Sequence, residues 1–175
     1  MKTLVILVHP DMENSKINKK WKEELEKHPD KITIHELYKE YPDWNIDIEK
    51  EQELITKHDN IIFEFPLYWY SSPPILKKWL DDVLSFNWAY GNEYRLKEKN
   101  IGFAVSVGGP KKEYSKTGSV RFSMDEILVP FEATVKYIKA NLISHYILFD
   151  ATESLNEKKL LESAEGYVKH IFNIK

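Results

Sequence analysis

The stretch NIIFEF at residues 60–65, which Pro66 ends, decides the fold together with similar runs on either side of it. It is a nearly continuous apolar run, and such a run predicts a strand that is buried on both faces of a sheet. Strands of this kind are typical of parallel sheets, because the connecting helices cover both faces. Four further strands are predicted at residues 3–8, 31–37, 101–107 and 144–149.

Helical patterns separate these runs and carry their own start and stop signals. Ser15 predicts the N-cap of the first helix, and Ser72 followed by Pro73 predicts the start of another. The capping box at residues 154–157 predicts the start of the last helix. Pro130 predicts a break in the pattern, with a short turn before it and a helix after it. The remaining helix is predicted over residues 47–58.

The alternation of strands and helices predicts the architecture. Five strands, each followed by a helical pattern, indicate an α/β three-layer sandwich with a parallel sheet between two layers of helices. Five strands in a chain of 175 residues suit the strand order 2-1-3-4-5. Linkers, repeats and low-complexity segments are absent from the sequence, so residues 1–175 are expected to form a single domain.

Composition and charge exclude several classes of function. The chain has no cysteine, which excludes disulfides, thiolate metal sites and a cysteine nucleophile. Its formal net charge of -3 gives no electrostatic reason to expect nucleic acid or a membrane surface as a partner. The run at residues 3–8 is too short for a signal sequence or a membrane span, so a cytoplasmic location is expected. GxSxG and HExxH motifs are absent, and no metal site is predicted.

Ligands of such a sheet bind beyond the carboxyl ends of the strands, where the strand order reverses. Three loops meet there in the predicted topology, at residues 9–18, 66–74 and 106–114. The first loop ends at a helix N-terminus, where free N–H groups and the macrodipole favour a phosphate. Ser15 either adds a hydroxyl donor to that phosphate site or only caps its helix, and the sequence leaves both interpretations open.

The second and third loops suggest a surface for a planar ligand. Tyr68, Trp69 and Tyr70 are adjacent rings that cannot all point inward from one short loop. One of them is expected to be buried under the next helix, and the set predicts a wall for a flat ligand or a contact with a partner subunit. Gly108 and Gly109 allow a ligand to approach the backbone closely and offer unobstructed N–H groups, although a tight turn would also need them.

Five segments carry a resemblance to a known family. They are the opening strand to His9 and Pro10 with a following serine and asparagine, YPDWNIDIEKEQ at 41–52, PLYWYSSPPILKKWLDDV at 66–83, WAYG at 88–91 and the glycine pair. On these segments, which span nearly the whole chain, it resembles the flavodoxin-like NAD(P)H quinone oxidoreductases. The match is to a small bacterial branch that includes the ancillary oxidoreductase of the glutathione-gated potassium-efflux system and the general stress protein reductases.

The resemblance implies a flavodoxin-like sheet and a set of cofactor-binding residues. Those matching the family's contacts to the flavin phosphate and ribityl chain are His9, Ser15, Lys16, Ile17 and Asn18. Those matching the residues that wrap the ribityl chain and the isoalloxazine ring are Pro66, Leu67, Tyr68, Trp69 and Tyr70. The segment matching the ring edge, with its backbone N–H donors, is Ser106, Val107, Gly108 and Gly109.

One catalytic candidate also comes from the resemblance. Tyr114 matches a tyrosine of the mammalian quinone reductase that stabilises charge on the reduced flavin or on the substrate. A histidine of that enzyme corresponds to Val120 here, and the departures at Val107, Lys111 and Lys112 put the choice of substrate in doubt. The chain lacks the C-terminal extension of the mammalian enzyme, which favours FMN over FAD.

The implied activity is two-electron, ping-pong hydride transfer from NAD(P)H through FMN to a quinone or a similar acceptor. The family is dimeric, so a homodimer that completes the site is expected. Two other functions stay open: a regulatory subunit of a potassium-efflux membrane transporter with secondary reductase activity, and a one-electron carrier. Such carriers are usually strongly acidic, and a charge of -3 is mild. The sequence does not choose between NADH and NADPH, nor identify the natural acceptor.

Overall fold

The computed structural model describes residues 1–174, which form a parallel sheet between two layers of helices. The strands are β1 Thr3–Leu7, β2 Ile32–Glu36, β3 Asn60–Pro66, β4 Asn100–Ser106, β5 Asn141–Leu142 and β6 Tyr146–Leu148. The helices are α1 Ile17–Leu25, α2 Leu37–Glu40, α3 Ile48–Thr56, α4 Pro74–Val83, α5 Met124–Tyr137 and α6 Glu157–Phe172, with a 3₁₀ turn at Lys111–Glu113. None of the helices in this part of the chain is long and apolar enough to cross a bilayer.

The sheet confirms the predicted order, since the strands lie as β2-β1-β3-β4-β5 and all pairs are parallel. The strand predicted at residues 144–149 is present as β6, but the prediction missed β5 before it, and the two short strands pair with different parts of β4. Ile143 between them packs where β4 has Gly102, at which an added Cβ would lie 2.7 Å from Ile143 Cγ1. The interrupted strand therefore depends on a glycine in its neighbour.

Two hydrophobic cores lie on opposite faces of the sheet. One lies under α3, α4 and α5 and takes Ile61, Phe63 and Phe65 from β3. The other lies under α1 and α6 and takes Ile62 from the same strand. Glu64 follows Ile62 on this second face, because side chains alternate between the faces of a strand. A fully buried carboxyl group thus enters the core beneath α1 and α6.

Three helix starts differ from the sequence prediction. Lys16, not Ser15, holds the N-cap position of α1, and no side chain caps that helix. Helix α4 has Pro73 at its N-cap and Pro74 in its first turn, so Ser72 does not cap it either. For α6 the cap is Asn156, whose side chain accepts the N–H of Lys159, rather than the predicted box from residue 154. In each case the helix begins one or two residues later than the polar residue suggested.

Pro130 does not break the pattern, so the predicted break is wrong. Helix α5 is continuous from Met124 to Tyr137 and has Pro130 inside it. Proline disrupts a helix interior by removing one hydrogen bond and crowding the preceding turn. A capping box between Ser123 and Glu126 and the buried face of α5 oppose that cost. Ser123 and Glu126, which form this box, mark the start of α5 more reliably than Pro130 marks a break.

The YPDWNIDIEKEQ segment has a structural role. Glu51 of α3 is fully buried and accepts hydrogen bonds from Tyr41 Oη at 2.7 Å and Trp79 Nε1 at 2.7 Å. His35 Nε2 of β2 lies 2.8 Å from the same carboxylate. Burial opposes ionisation, but these partners lower the pKa of Glu51. One carboxylate therefore ties β2, α3 and α4 together beneath the helical layer.

A ladder of polar side chains fixes the register at the amino ends of four strands. Thr3, Asn60, Asn100 and Asn141 lie side by side in β1, β3, β4 and β5. Asn60 Nδ2 donates to Thr3 Oγ1 at 3.2 Å, and Asn100 Nδ2 donates to Asn60 Oδ1 at 2.9 Å. Asn141 Nδ2 donates to Asn100 Oδ1 at 3.3 Å. A slip of any one strand by a residue would break this row and move that strand's own side chains to the opposite face of the sheet.

Asn60→Ala should destabilise the protein by about 1–3 kcal/mol, because it removes two buried hydrogen bonds, one to Thr3 and one from Asn100. Urea denaturation measures the change. Asn92→Ala is the control, since Asn92 is exposed and only its backbone N–H is hydrogen-bonded. Equal stability of the two variants would show that the ladder does not hold the register.

Candidate functional site

The three loops chosen from the sequence meet at the carboxyl edge of the sheet. β1, β3 and β4 are adjacent and parallel, so their carboxyl ends lie side by side. Backbone bonds continue the pairing just beyond the strands, from Val8 N to Glu64 O and from Leu67 N to Ser106 O, each at 2.8 Å. The loop starts are thereby held in register with one another.

The first loop turns sharply after β1. His9 Nδ1 accepts the N–H of Asp11 at 3.1 Å, and Asp11 in turn accepts hydrogen bonds from Asn14. Burial lowers the pKa of His9, although Asp11 partly offsets this effect. At neutral pH the imidazole is therefore mostly uncharged, and its acceptor nitrogen is used within the loop.

The N-terminus of α1 offers backbone donors rather than side chains. The first helical bond runs from Lys20 N to Lys16 O, so the N–H groups of Ile17, Asn18 and Lys19 have no intrahelical acceptor. The Ile17 side chain is buried in the core under α1 and α6. The Lys16 ammonium is turned away, and it donates to the carbonyls of Glu153 at 2.9 Å and Leu155 at 2.7 Å. Ser15 is buried beside this turn and does not cap the helix.

The side chain of Asn18, a residue expected to lie near the flavin phosphate, faces the protein interior. Its Nδ2 donates to Glu64 Oε1 at 3.2 Å, and its Oδ1 accepts from Ser106 Oγ at 3.0 Å. All three residues are buried. We call this chain of hydrogen bonds the Ser106–Asn18–Glu64 bridge. It joins β4, α1 and β3 immediately below the three loops, and it leaves only the backbone N–H of Asn18 for a ligand.

Glu64 lies beside the candidate site but is not among the residues that the sequence predicted for it. Full burial raises its pKa to about 8, although Asn18 and Tyr167 of α6 partly oppose the shift. Its Oε2 and the Tyr167 hydroxyl are both buried, and neither makes a hydrogen bond of ordinary geometry within residues 1–174, although the two groups are close enough to influence each other's pKa. At neutral pH the carboxyl group therefore mostly keeps its proton. A lone acid inside the apolar run at residues 60–66 was the signal that could have found it.

Glu64→Gln should change how stability depends on pH. The ordinary glutamate pKa is 4.5, and in the folded protein it is about 8. Between these values the folded state keeps a proton that the unfolded chain has lost, so the wild-type free energy of unfolding falls as pH rises. The variant has no such loss. The free energy of unfolding of Glu64→Gln, relative to that of the wild type, should therefore rise by about 2–4 kcal/mol between pH 5 and pH 8.5.

Urea denaturation at the two pH values measures this difference. The exposed Glu165 of α6 supplies the control, since Glu165→Gln makes the same replacement at the surface. That control should show a difference from the wild type that is nearly independent of pH. A flat difference for Glu64→Gln as well would mean that Glu64 is ionised in the folded protein.

The aromatic loop forms a strained tight turn. Tyr68 N donates to Ser71 O at 2.8 Å, and Ser71 N donates to Tyr68 O at 3.0 Å. The two central residues, Trp69 and Tyr70, have φ of 46° and 61°. This geometry normally selects glycine, asparagine or aspartate. Trp69 is 93% exposed, so burial of its ring does not stabilise the turn. Backbone strain without local compensation is typical of binding sites.

All three rings of this loop face outward to a large extent, because Tyr68 and Tyr70 are 42% and 49% exposed. The expectation that one ring is buried under the next helix is wrong. Leu67 supplies the packing instead, since it contacts the core under α3, α4 and α5. Pro66 is the last residue of β3. The N–H groups of Trp69 and Tyr70 have no backbone acceptor in the part of the chain that is described.

Trp69→Gly should stabilise the ligand-free protein relative to Trp69→Ala by about 1 kcal/mol. Both variants lose the ring, but only glycine adopts the left-handed conformation without steric cost. Thermal or urea denaturation of the two variants measures the difference. An alanine variant as stable as the glycine variant would show that the turn is not strained.

The glycine pair follows β4 and leaves open space. Val107 N donates to Leu148 O at 2.8 Å, so this N–H belongs to the sheet and does not face a ligand. A Cβ added at Gly108 would meet no atom within 4 Å. Within residues 1–174 the N–H groups of Gly108 and Gly109 have no backbone acceptor, while Gly109 O accepts from Asp150 N. The two glycines therefore offer free donors beside this open space.

Tyr114 folds back over this pair. A Cβ added at Gly109 would lie 3.1 Å from Tyr114 Cε2, and the ring also contacts Phe149 at a centroid distance of 5.5 Å. Burial, and to a smaller degree Tyr70, raise the pKa of Tyr114. A hydroxyl with a raised pKa stays protonated at neutral pH and can donate a hydrogen bond.

Comparisons with known proteins agree with this geometry. The family model described as "Flavodoxin-like fold" matches residues 1–171. General stress protein 14 of Bacillus subtilis is 50% identical over 172 residues, covering 98% of this chain and 97% of that protein. The uncharacterized NAD(P)H oxidoreductase YdeQ of the same organism is 45% identical over 99% of this chain and 88% of its own length. The potassium-efflux ancillary protein KefG of Erwinia tasmaniensis is 36% identical over 85% and 80%.

Solved structures extend the comparison. General stress protein 14 of Treponema denticola, crystallised with FMN, has a TM-score of 0.96 and 39% identity, and all of both chains is covered. An NADPH-quinone reductase of P. pentosaceus has a TM-score of 0.91 and 30% identity, again over both whole chains. A thermophilic tryptophan halogenase from Streptomycin violaceusniger has a TM-score of 0.94 and 44% identity over 98% and 99%. The chain belongs to the flavodoxin-like family that includes these NAD(P)H oxidoreductases.

Proposed function

We propose that this protein is an FMN-dependent NAD(P)H:quinone oxidoreductase. The observation that carries the proposal is the set of free backbone donors gathered at one edge of the sheet. They lie in the first turn of α1, in the turn at Trp69 and Tyr70, and at the glycine pair. A phosphate, a flexible chain and a flat heterocycle need donors in this arrangement, and a relative of the same fold was crystallised with FMN.

The residues divide between the two ends of the cofactor. The N–H groups of Ile17, Asn18 and Lys19, with the Ser15 hydroxyl, would hold the phosphate at the positive end of α1. His9 and Lys16 would shape this pocket, since their polar atoms bind the surrounding loops.

The second and third loops would hold the ring. Leu67 and Tyr68 would flank the chain and the ring, and the free N–H groups of Trp69 and Tyr70 would meet its polar edge. Gly108 and Gly109 would supply the remaining donors at a place where a side chain would collide with the ligand. The Ser106 side chain supports the site from below through the Ser106–Asn18–Glu64 bridge.

Bound FMN would supply the chemistry, which is acceptance of a hydride from NAD(P)H and its delivery to a quinone. The protein's own part is to present one ring face to both substrates in turn, which predicts ping-pong kinetics. Tyr114 would donate a hydrogen bond to the substrate oxygen, because its raised pKa keeps the hydroxyl protonated. NAD(P)H is a cytoplasmic reductant, so we place the protein there.

A homodimer would complete the site. A groove between α4 and α5 begins at Tyr70 and reaches Tyr90 and Tyr137. Tyr137 and Phe86 are 65% and 63% exposed and belong to a row of ring contacts through Tyr90. Aromatic rings exposed beside an open site are typical of a surface that a second subunit covers.

A regulatory role remains a second candidate. The relatives named KefG are ancillary proteins of a potassium-efflux system. In that role the same site would bind FMN, and a membrane transporter would be the partner. Co-purification of the protein with such a transporter, at a reductase rate too low to matter, would favour this candidate.

Absorbance spectroscopy tests the proposed function. The purified protein is loaded with FMN, and the flavin bands should bleach with NADPH and return with menadione. Failure to bind FMN at micromolar concentration would refute the proposal. Binding without bleaching would refute only the reductase activity.

Gly108→Ala sharpens the test. An added Cβ meets open space, and Gly108 has no left-handed φ, so the melting temperature of the apoprotein should not change. If the ring lies against this glycine, the methyl group should weaken FMN binding by about tenfold or more. Fluorescence titration with FMN measures the affinity. Unchanged affinity would place the ring elsewhere.

A further inference from the structure

Glu64 is a buried titratable group whose ionisation plays no part in the proposed function. It lies in the central strand β3, is fully buried, and touches none of the surfaces assigned to the cofactor. A carboxyl group in such a place has a cost that leucine or glutamine would avoid. Its position beneath α1 suggests that a role in ligand binding offsets this cost.

A single hydrogen bond separates Glu64 from the turn that would hold the phosphate. Asn18 lies in the first turn of α1, where its backbone N–H is free, and its side chain donates to Glu64 Oε1. The other end of the Asn18 amide accepts from Ser106, which precedes the loop of the glycine pair. The side chain of Glu64 therefore faces the same helix N-terminus as the ligand, from below.

The groups around Glu64 provide no compensating positive charge. It faces Asn18 from α1 and Tyr167 from α6, and Ser106 of β4 contacts it through Asn18. Tyr146 of β6 stacks on Tyr167 at a centroid distance of 5.2 Å and donates to Ser163 O. The ammonium group of Lys16 is bound to carbonyls on the far side of the turn. Within residues 1–174 the side chains that shift the pKa of Glu64 are those of Asn18 and Tyr167, and neither carries a positive charge.

The protonation state of Glu64 therefore matters to an anion at α1. A neutral carboxyl group leaves the positive end of the helix dipole to the ligand. A carboxylate would compete for the same dipole and would repel a phosphate through a poorly screened interior. Binding of the anion and loss of the Glu64 proton thus oppose each other, and by linkage each weakens the other.

We propose that Glu64 is a positioning residue that must hold its proton for α1 to bind the phosphate of FMN, so that cofactor affinity is coupled to protonation of this buried side chain. The inference rests on the proposed function, because it takes FMN as the ligand. It adds a residue that touches no ligand and acts through Asn18.

Fluorescence titration of the apoprotein with FMN at pH 7 and pH 9.5 tests the coupling. The wild-type dissociation constant should rise by about tenfold across this range. Glu64→Gln keeps the shape of the side chain and has no proton to lose, so its affinity should stay constant and tight. His9 titrates below this range, because burial lowers its pKa, and so does not contribute.

Two further variants separate positioning from a general effect of charge. Glu165→Gln removes a charge from the exposed face of α6 and should keep the wild-type pH dependence. Tyr167→Phe removes a hydroxyl that lowers the pKa of Glu64, so the loss of affinity should move to higher pH. Riboflavin, which lacks the phosphate, should show a smaller dependence on pH than FMN.

Infrared spectroscopy gives a readout that needs no cofactor. The apoprotein at pH 7 should show the carbonyl band of a neutral carboxyl group, and Glu64→Gln should lack it. Absence of the band in the wild type would overturn the proposal, as would an FMN affinity that is equal at both pH values or that falls equally in Glu64→Gln. If FMN binds at neither pH, the proposed function itself is refuted. If FMN binds but its affinity does not depend on the Glu64 proton, only the coupling is refuted.

Discussion

The Ser106–Asn18–Glu64 bridge is the interaction on which the site depends. It connects the ends of β4 and β3 to the first turn of α1 through two buried hydrogen bonds. Each of these elements borders one of the three loops at the carboxyl edge, since β4 and β3 precede their loops and α1 follows the first loop. A parallel sheet aligns its strand ends but leaves the loops beyond them some freedom of position. The bridge restricts that freedom at the place where we propose that a ligand is bound.

Polar groups hold the sheet at both ends, and apolar packing fills the space between them. At the amino ends the row from Thr3 to Asn141 fixes the register of four strands. At the carboxyl ends the bridge fixes the loops. The site itself is made almost wholly of backbone N–H groups, which require accurate placement because they cannot adjust as side chains do. The strained turn at Trp69 and Tyr70 fits this division, since the scaffold holds it in a conformation that its own sequence disfavours.

The sequence predicted the fold and the meeting of the three loops at one edge of the sheet, because both follow from period and order. The alternation of apolar runs with helical patterns determined the strand order, and the order determined the edge. Local signals were less reliable. Serines at 15, 72 and 154 looked like helix caps, but the neighbouring backbone placed the caps elsewhere. The direction of the Asn18 side chain, and the use of the Val107 N–H by β6, are tertiary contacts that no spacing in the sequence encodes.

The central claim is that backbone donors of three loops bind FMN at one edge of the sheet. Amide chemical-shift mapping by NMR during titration with FMN tests it most directly. The account predicts the largest shifts at Ile17, Asn18 and Lys19, at Trp69 and Tyr70, and at Gly108 and Gly109, with little change along the row of asparagines at the opposite edge. Shifts confined to other surfaces, or absent from one of the three loops, would contradict it.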